Sequence, residues 1–221
     1  DSTLTIQGTG TLRLEDVSTS LSSLTIGVVG DVEASLAGNI DTLILDVNGD
    51  ATLDLGGENA TTIVGSVSSL LNLSAEQDVA IGALTGLDVL RGVFAQDLEI
   101  ADHLDIGTQT DLTVGGSVSF SGSGRLNTET LDLDIAGSLG STTAFGQIDL
   151  GPHGVLSGQV GADLFVSELA GDLNLSDVLV GGDAHLKGSA NLIGEAAPGL
   201  LDISLSGLLL LSGFGGVGRA D

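Results

Sequence analysis

Cysteine, methionine, tryptophan and tyrosine are all missing from this chain of 221 residues, and only five of its residues are basic. Without cysteine there is no disulfide framework, no thiolate metal site and no cysteine nucleophile. The lack of Trp and Tyr removes the usual aromatic platforms of sugar-binding clefts, which counts against a polysaccharide-active enzyme. With so few Lys and Arg, the clustered cations that displace counterions from nucleic acid are absent, so no nucleic-acid partner is expected. Thirty acidic residues bring the formal net charge to −25, which disfavours anionic membranes and acidic polysaccharides. Cations become the natural partners, although the same charge also serves solubility alone. Long hydrophobic runs are lacking too: "GLLLLSG" at 207–213 is far too short for a membrane span. The chain starts at Asp1 and holds no methionine, so the numbering is expected to begin after processing or inside a longer precursor.

What is present is glycine, 35 of it, and a 42% hydrophobic fraction built mainly from Leu, Val, Ile and Ala. That apolar content is too high for a disordered acidic tail. It recurs in phrases that open on Asp and then alternate: "GDVEASLAG" (30–38), "GDATLDLGG" (49–57), "DVAIGALTG" (78–86), "DLTVGGSVSFSG" (111–122) and "GDLNLSDVLVGGDAHLKG" (171–188). Period-two alternation is the mark of a strand with one buried face, and Gly, Asn, Asp and Ser supply the turns between. Asp31 to Asp50 and Asp78 to Asp97 are both 19 residues apart, while other intervals differ. Irregular periods in this range point to a solenoid. The expected fold is all-β, a parallel β-helix (β-solenoid) with irregular coils of roughly 20 residues, giving about 11 coils. Residues 1–212 form the solenoid and 213–221 a glycine-rich C-terminal tail. Each Gly-Asp is expected at the corner before a strand.

An immunoglobulin-like sandwich also uses short strands, but its strands carry aromatic anchors and differ from one another. Here one small aliphatic set recurs. Charge sets a condition on stacking, because aspartates about 4.8 Å apart repel by about 0.9 kcal/mol per pair even in water. Staggering the acids or bridging them with cations would relieve it.

The phrases "GGSVSFSGSG" and "VGGDAHLKGSA", with the recurring Gly-Asp-aliphatic alternation, resemble β-solenoid regions of bacterial surface-layer proteins and secreted adhesins. The resemblance implies an extracellular or cell-surface location. In the repeat-in-toxin branch, calcium nonapeptides read G-G-x-G-x-D-x-(aliphatic)-x. This chain carries only pieces of that pattern, so it implies scattered calcium sites at most. The best candidate places the oxygen ligands Asp46, Asn48, Asp50, Asp54 and Glu58 around a glycine-bounded corner, as a hard cation requires. The same residues also read as solvated turn positions. A second acidic set, Asp97, Glu99, Asp102 and Asp105, reads as the outer face of a strand. His103, His153 and His185 lack a paired metal-ligand spacing. "GFGGVG" at 213–218 has no room for a following helix and is not a dinucleotide site.

A solenoid exposes backbone edges and core at its first and last coils unless they are capped. Toward the C-terminus this chain turns more apolar where a cap would turn polar, with Leu208, Leu209, Leu210, Leu211 and Phe214 as the expected assembly interface. Burial of that run under the glycine-rich tail is the other reading. The leading expectation is a non-enzymatic extracellular structural protein that self-associates through its ends into a filament, surface layer or adhesin stalk, with divalent cations as further partners. The alternatives are a calcium- or glycan-binding module of a longer adhesin and a polysaccharide-active β-helix enzyme.

Overall fold

Alternating aliphatic and polar residues, interrupted by glycine before any helix could nucleate, leave strand as the only regular structure this chain supports. The computed structural model describes residues 2–18, 20–194 and 203–217. Among them are 25 strands and no helix, so no helix is long and apolar enough to cross a membrane. The strands form two sheets, of 13 and 12 members. Thr3–Thr9 lies in the first sheet, Leu12–Val17 in the second, and Leu21–Val29 returns to the first one coil later. Pairing between successive coils is parallel throughout the described residues. This is a β-solenoid with two sheets around one interior, as the repeated phrases predict, and parallel pairing excludes the sandwich.

The interior is built of columns. Leu4, Leu24, Leu43, Ile63 and Ile81 occupy matched positions on successive coils of the first sheet. Full burial of each such side chain contributes about 1.5–3 kcal/mol. A second column runs Leu84, Leu104, Leu126 and Ile148, and then reaches Glu168. Small branched side chains suit this geometry, because every layer must be as thin as the spacing between strands.

Coil length changes along the molecule. Partners on adjacent coils are 18 to 20 residues apart in the first half. The interval widens to 22 between Asp105 and Asn127 and to 25 between Asp132 and Ser157. Bulges absorb part of the irregularity. At one of them Gly65 takes φ 123° beside a register shift, and a Cβ there would collide with the Leu45 carbonyl oxygen. Only glycine fits that position.

The boundary expected at residue 213 falls at a corner. Gly213 turns with φ 81°, Phe214 packs against the core, and Gly216–Val217 pairs with Asn191–Gly194. Residues 213–217 therefore belong to the last described coil, and 218–221 lie outside the described residues.

Candidate functional site

The Gly-Asp phrases do mark corners, and their carboxylates have a definite task there. Where a strand ends, its corner N–H loses a strand partner and needs another acceptor. Asp31 Oδ1 accepts the N–H of Asp50 at 3.1 Å, and Asp50 Oδ1 accepts that of Leu70 at 3.2 Å. The opposite corner carries a longer series. Asp78 accepts from Asp97 and Asp97 from Ser117; the Ser117 and Ser138 hydroxyls then accept from Ser138 and Asp163. Asp163 accepts from Asp183, and Asp183 from Leu208 at 2.7 Å.

On the outer faces several acids meet a hydroxyl or amide on the next coil, although Asp111 stands in register with Asp132. Ser74 donates to Asp54 at 2.6 Å, Ser157 to Asp132 at 2.9 Å, and the Gln159 amide to Asp134 at 2.7 Å. Arg13 and Arg91 pair with Glu33 and Asp111 on the next coil. Relief by staggering or by cations was considered. The acceptance of corner N–H groups by carboxylates was not.

The five calcium candidates do not converge. Asp46 stands on the strand Ile40–Val47 of the first sheet, where it accepts from the Ser66 hydroxyl. Asp54 stands on Ala51–Leu55 of the second sheet. Asn48 and Asp50 occupy the corner between these strands, and Glu58 lies at the next corner, where its N–H donates to Asn39 at 2.7 Å. Neighbours in sequence separate in space because this short stretch travels most of the way around a coil. Among the described residues no group of three or more His, Asp or Glu is placed to hold a metal ion.

The second acidic set is likewise engaged by neighbours. Ser121 donates to Glu99, and Asn127 donates to Asp105 at 2.7 Å. The Ser123 hydroxyl and the His103 N–H hold the Asp102 carboxyl below its ordinary pKa. His103 Nε2 lies 2.7 Å from Arg125, whereas His185 stacks against Phe165, so these histidines share no site.

The leucine run divides by phase. Leu209 and Leu211 sit in register with Ala184 and Leu186, whose side chains are in the core, and Leu210 with the outward His185. Leu186 is 1% exposed but Leu211 is 38% exposed, because no further described coil covers it. Leu208 is exposed at the corner, while Leu209 and Phe214 are partly buried against the core. The first coil mirrors this, with Leu4 exposed above the buried Leu24.

Two features escaped the sequence reading. The first is a groove of about 550 Å³ on the outer face of the first sheet. After Leu139 the chain leaves the coil at Gly140 (φ 69°) and makes a tight turn, with the Ser141 N–H donating to the Ala144 carbonyl. Phe145 is thereby set edge-on to Phe165, with centroids 5.7 Å apart. Lys187 Nζ lies 3.4 Å from the Phe145 ring centroid, a close cation–π contact. Gln147, Ser167 and Lys187 follow one another up a single outward column beneath. Lys187 is the only lysine of the chain and stands at a polar phase of "DAHLKG", but nothing local tells that Phe145 will meet it.

The second feature is Glu168, an inward-facing carboxyl only 2% exposed. Burial pushes its pKa up to about 7, with nearby Asp149 adding to the rise and the N–H groups of Ala170, Leu150 and Gly171 opposing it. Its Oε2 has no hydrogen-bond partner among the described residues. Its phase was readable: Leu164, Val166 and Glu168 alternate on the same side.

The class defined by this architecture is the parallel β-solenoid. No family model, no curated protein and no solved structure matches the chain.

Proposed function

We propose that this chain is a non-enzymatic structural protein of the cell surface or extracellular space, a β-solenoid rod that joins end to end. The observation that supports the proposal is an open coil face at each end of the described stack. Strands Thr3–Thr9 and Leu12–Val17 each have one unpaired edge among the described residues, as do Leu209–Ser212 and Gly216–Val217 at the other end. Both faces carry strands of both sheets, and among the described residues both leave a core-column leucine uncovered, Leu4 at one and Leu211 at the other.

Head-to-tail stacking of copies would continue both ladders and bury those leucines. Such a contact is heterologous and does not close on itself, so it yields a filament rather than a dimer. Backbone ladders supply stiffness along the axis, and the charge of −25 discourages side-by-side collapse. A surface layer or an adhesin stalk is the setting that such a unit fits, in keeping with its resemblance to solenoids of those classes.

Light scattering across a concentration series tests the reading. Mass is expected to grow with concentration and with added salt, since screening weakens repulsion between acidic copies. Leu4→Asp and Leu211→Asp each alter one face, and either is expected to stop growth while leaving the fold intact. A wild-type chain that stays monomeric at all concentrations and salt levels contradicts the proposal.

A further inference from the structure

In a chain with 30 acidic residues, one ammonium has no carboxylate partner among the described residues. Among the described residues Arg13 and Arg91 are paired with acids, and Arg125 is turned toward His103. Lys187 makes no ion pair among the described residues and lies over the Phe145 ring. No acid lines the groove at whose edge it stands.

We propose that this groove binds a sugar bearing a single carboxylate, with Lys187 Nζ as the anion contact. The chemistry of the lining selects this class. The Gln147 amide and the Ser167 and Thr143 hydroxyls offer donors and acceptors for sugar hydroxyls, and Phe120 and Phe145 offer apolar carbon. A volume of about 550 Å³ lies within the range of small-molecule sites.

The anion is limited to one charge for two reasons. The lining holds one cation, which suits a carboxylate better than a dianion such as phosphate or sulfate. The overall charge of −25 repels polyanions as they approach, whereas a lone carboxylate within the Debye length of about 8 Å at physiological salt answers mainly to the local ammonium. The repulsion read from composition thus holds for acidic polymers, while Lys187 offers a local attraction at this groove, with Glu99 held on the hydroxyl of the lining Ser121. The tight turn at 141–144 and the Phe145–Phe165 contact hold the aromatic wall in place before any ligand arrives.

The test is a titration followed by amide NMR, at protein concentrations low enough that copies do not stack. Its outcome is therefore independent of the end-joining reading. The probes are sodium glucuronate, glucose, sodium acetate and sodium sulfate. Glucuronate is expected to give saturable shifts at Gln147, Ser167 and Lys187, with a Kd on the order of 1 mM. Glucose and acetate, each carrying half of the recognised chemistry, are expected to bind at least about tenfold more weakly, as is sulfate. Lys187→Gln is expected to weaken glucuronate by about tenfold or more. Phe145→Ala is expected to weaken it as well, and Arg91→Gln to leave it unchanged. Absence of saturation by about 50 mM glucuronate overturns the proposal. So does equal binding by wild type and Lys187→Gln, or sulfate binding as tightly as glucuronate.

Discussion

The two halves of this solenoid are built by the same rule and depart from it to different degrees. From Leu21 to Phe94 the coils keep an interval of 18 to 20 residues, their core columns are aliphatic apart from Thr61 and Phe94, and the outer acids Asp46 and Asp54 meet hydroxyls one coil away. From Leu98 to Gly194 the intervals stretch to as much as 25 residues. The extra residues leave the coil as turns, and there the unusual chemistry collects: the Phe145–Lys187 contact, the groove and the buried Glu168. The lesson is that a regular coil leaves little room for an inward charge or an aromatic wall. Most inward positions fill a column and most outward ones face a partner on the next coil, so the Phe145–Lys187 contact and the buried Glu168 appear where the period fails.

Core truncation puts the sharpest strain on that contrast. Leu43 is held between Leu24 and Ile63, and Leu126 between Leu104 and Ile148 next to the longer turns. Leu43→Ala is expected to cost about 4 kcal/mol and Leu126→Ala about 2 kcal/mol, because the irregular half has more freedom to close the cavity. Denaturant unfolding with hydrogen exchange on the flanking strands measures both. Equal costs would mean that the longer coils are packed as rigidly as the regular ones.

Next in size is the pH response of the irregular half. Glu168 has its carboxyl pushed to about 7 in the fold, against an ordinary value of 4.5. Below about 4.5 it is protonated in both folded and unfolded chains, and its neutral form is tolerated in the core. As pH rises from 4.5 to 7 the unfolded chain gives up its proton first, so stability falls, by about 3 kcal/mol over the whole window. Above 7 the contribution is constant. Glu168→Gln removes this slope without removing the side chain. The difference in stability between variant and wild type is therefore expected to grow across that window, and parallel curves would contradict the assignment.

The corner ladder gives the smallest effect. Asp97→Ala leaves the Ser117 N–H without its side-chain acceptor and is expected to cost about 1 kcal/mol. Asp97→Asn keeps a carbonyl acceptor and should recover most of that. If Asn is as damaging as Ala, the negative charge and not the hydrogen bond is what the corner uses.

Much of this molecule could be read in advance. Period-two alternation between Gly-Asp corners names the strands, the parallel solenoid and the phase of most core residues, because each strand's inner face is written locally. The 19-residue steps from Asp31 to Asp50 and from Asp78 to Asp97 even mark residues that share a hydrogen bond. What could not be read is which residues meet across coils once the period drifts. A shift of one position exchanges the inner and outer faces, and the coil lengths that decide alignment are set by turns whose course is not local. That is why nothing local foretold that Phe145 and Lys187 touch, whereas Asp46, Asp54 and Glu58 stand apart because the chain carries them most of the way around one coil.

Low-dose electron diffraction from filaments of the wild-type chain, grown at high concentration and moderate salt, tests the structural proposal most directly. The account predicts a reflection at about 4.8 Å along the filament axis, since stacked coils place their strands perpendicular to it. Filaments with that spacing across the axis, or no filaments under any condition, would contradict it.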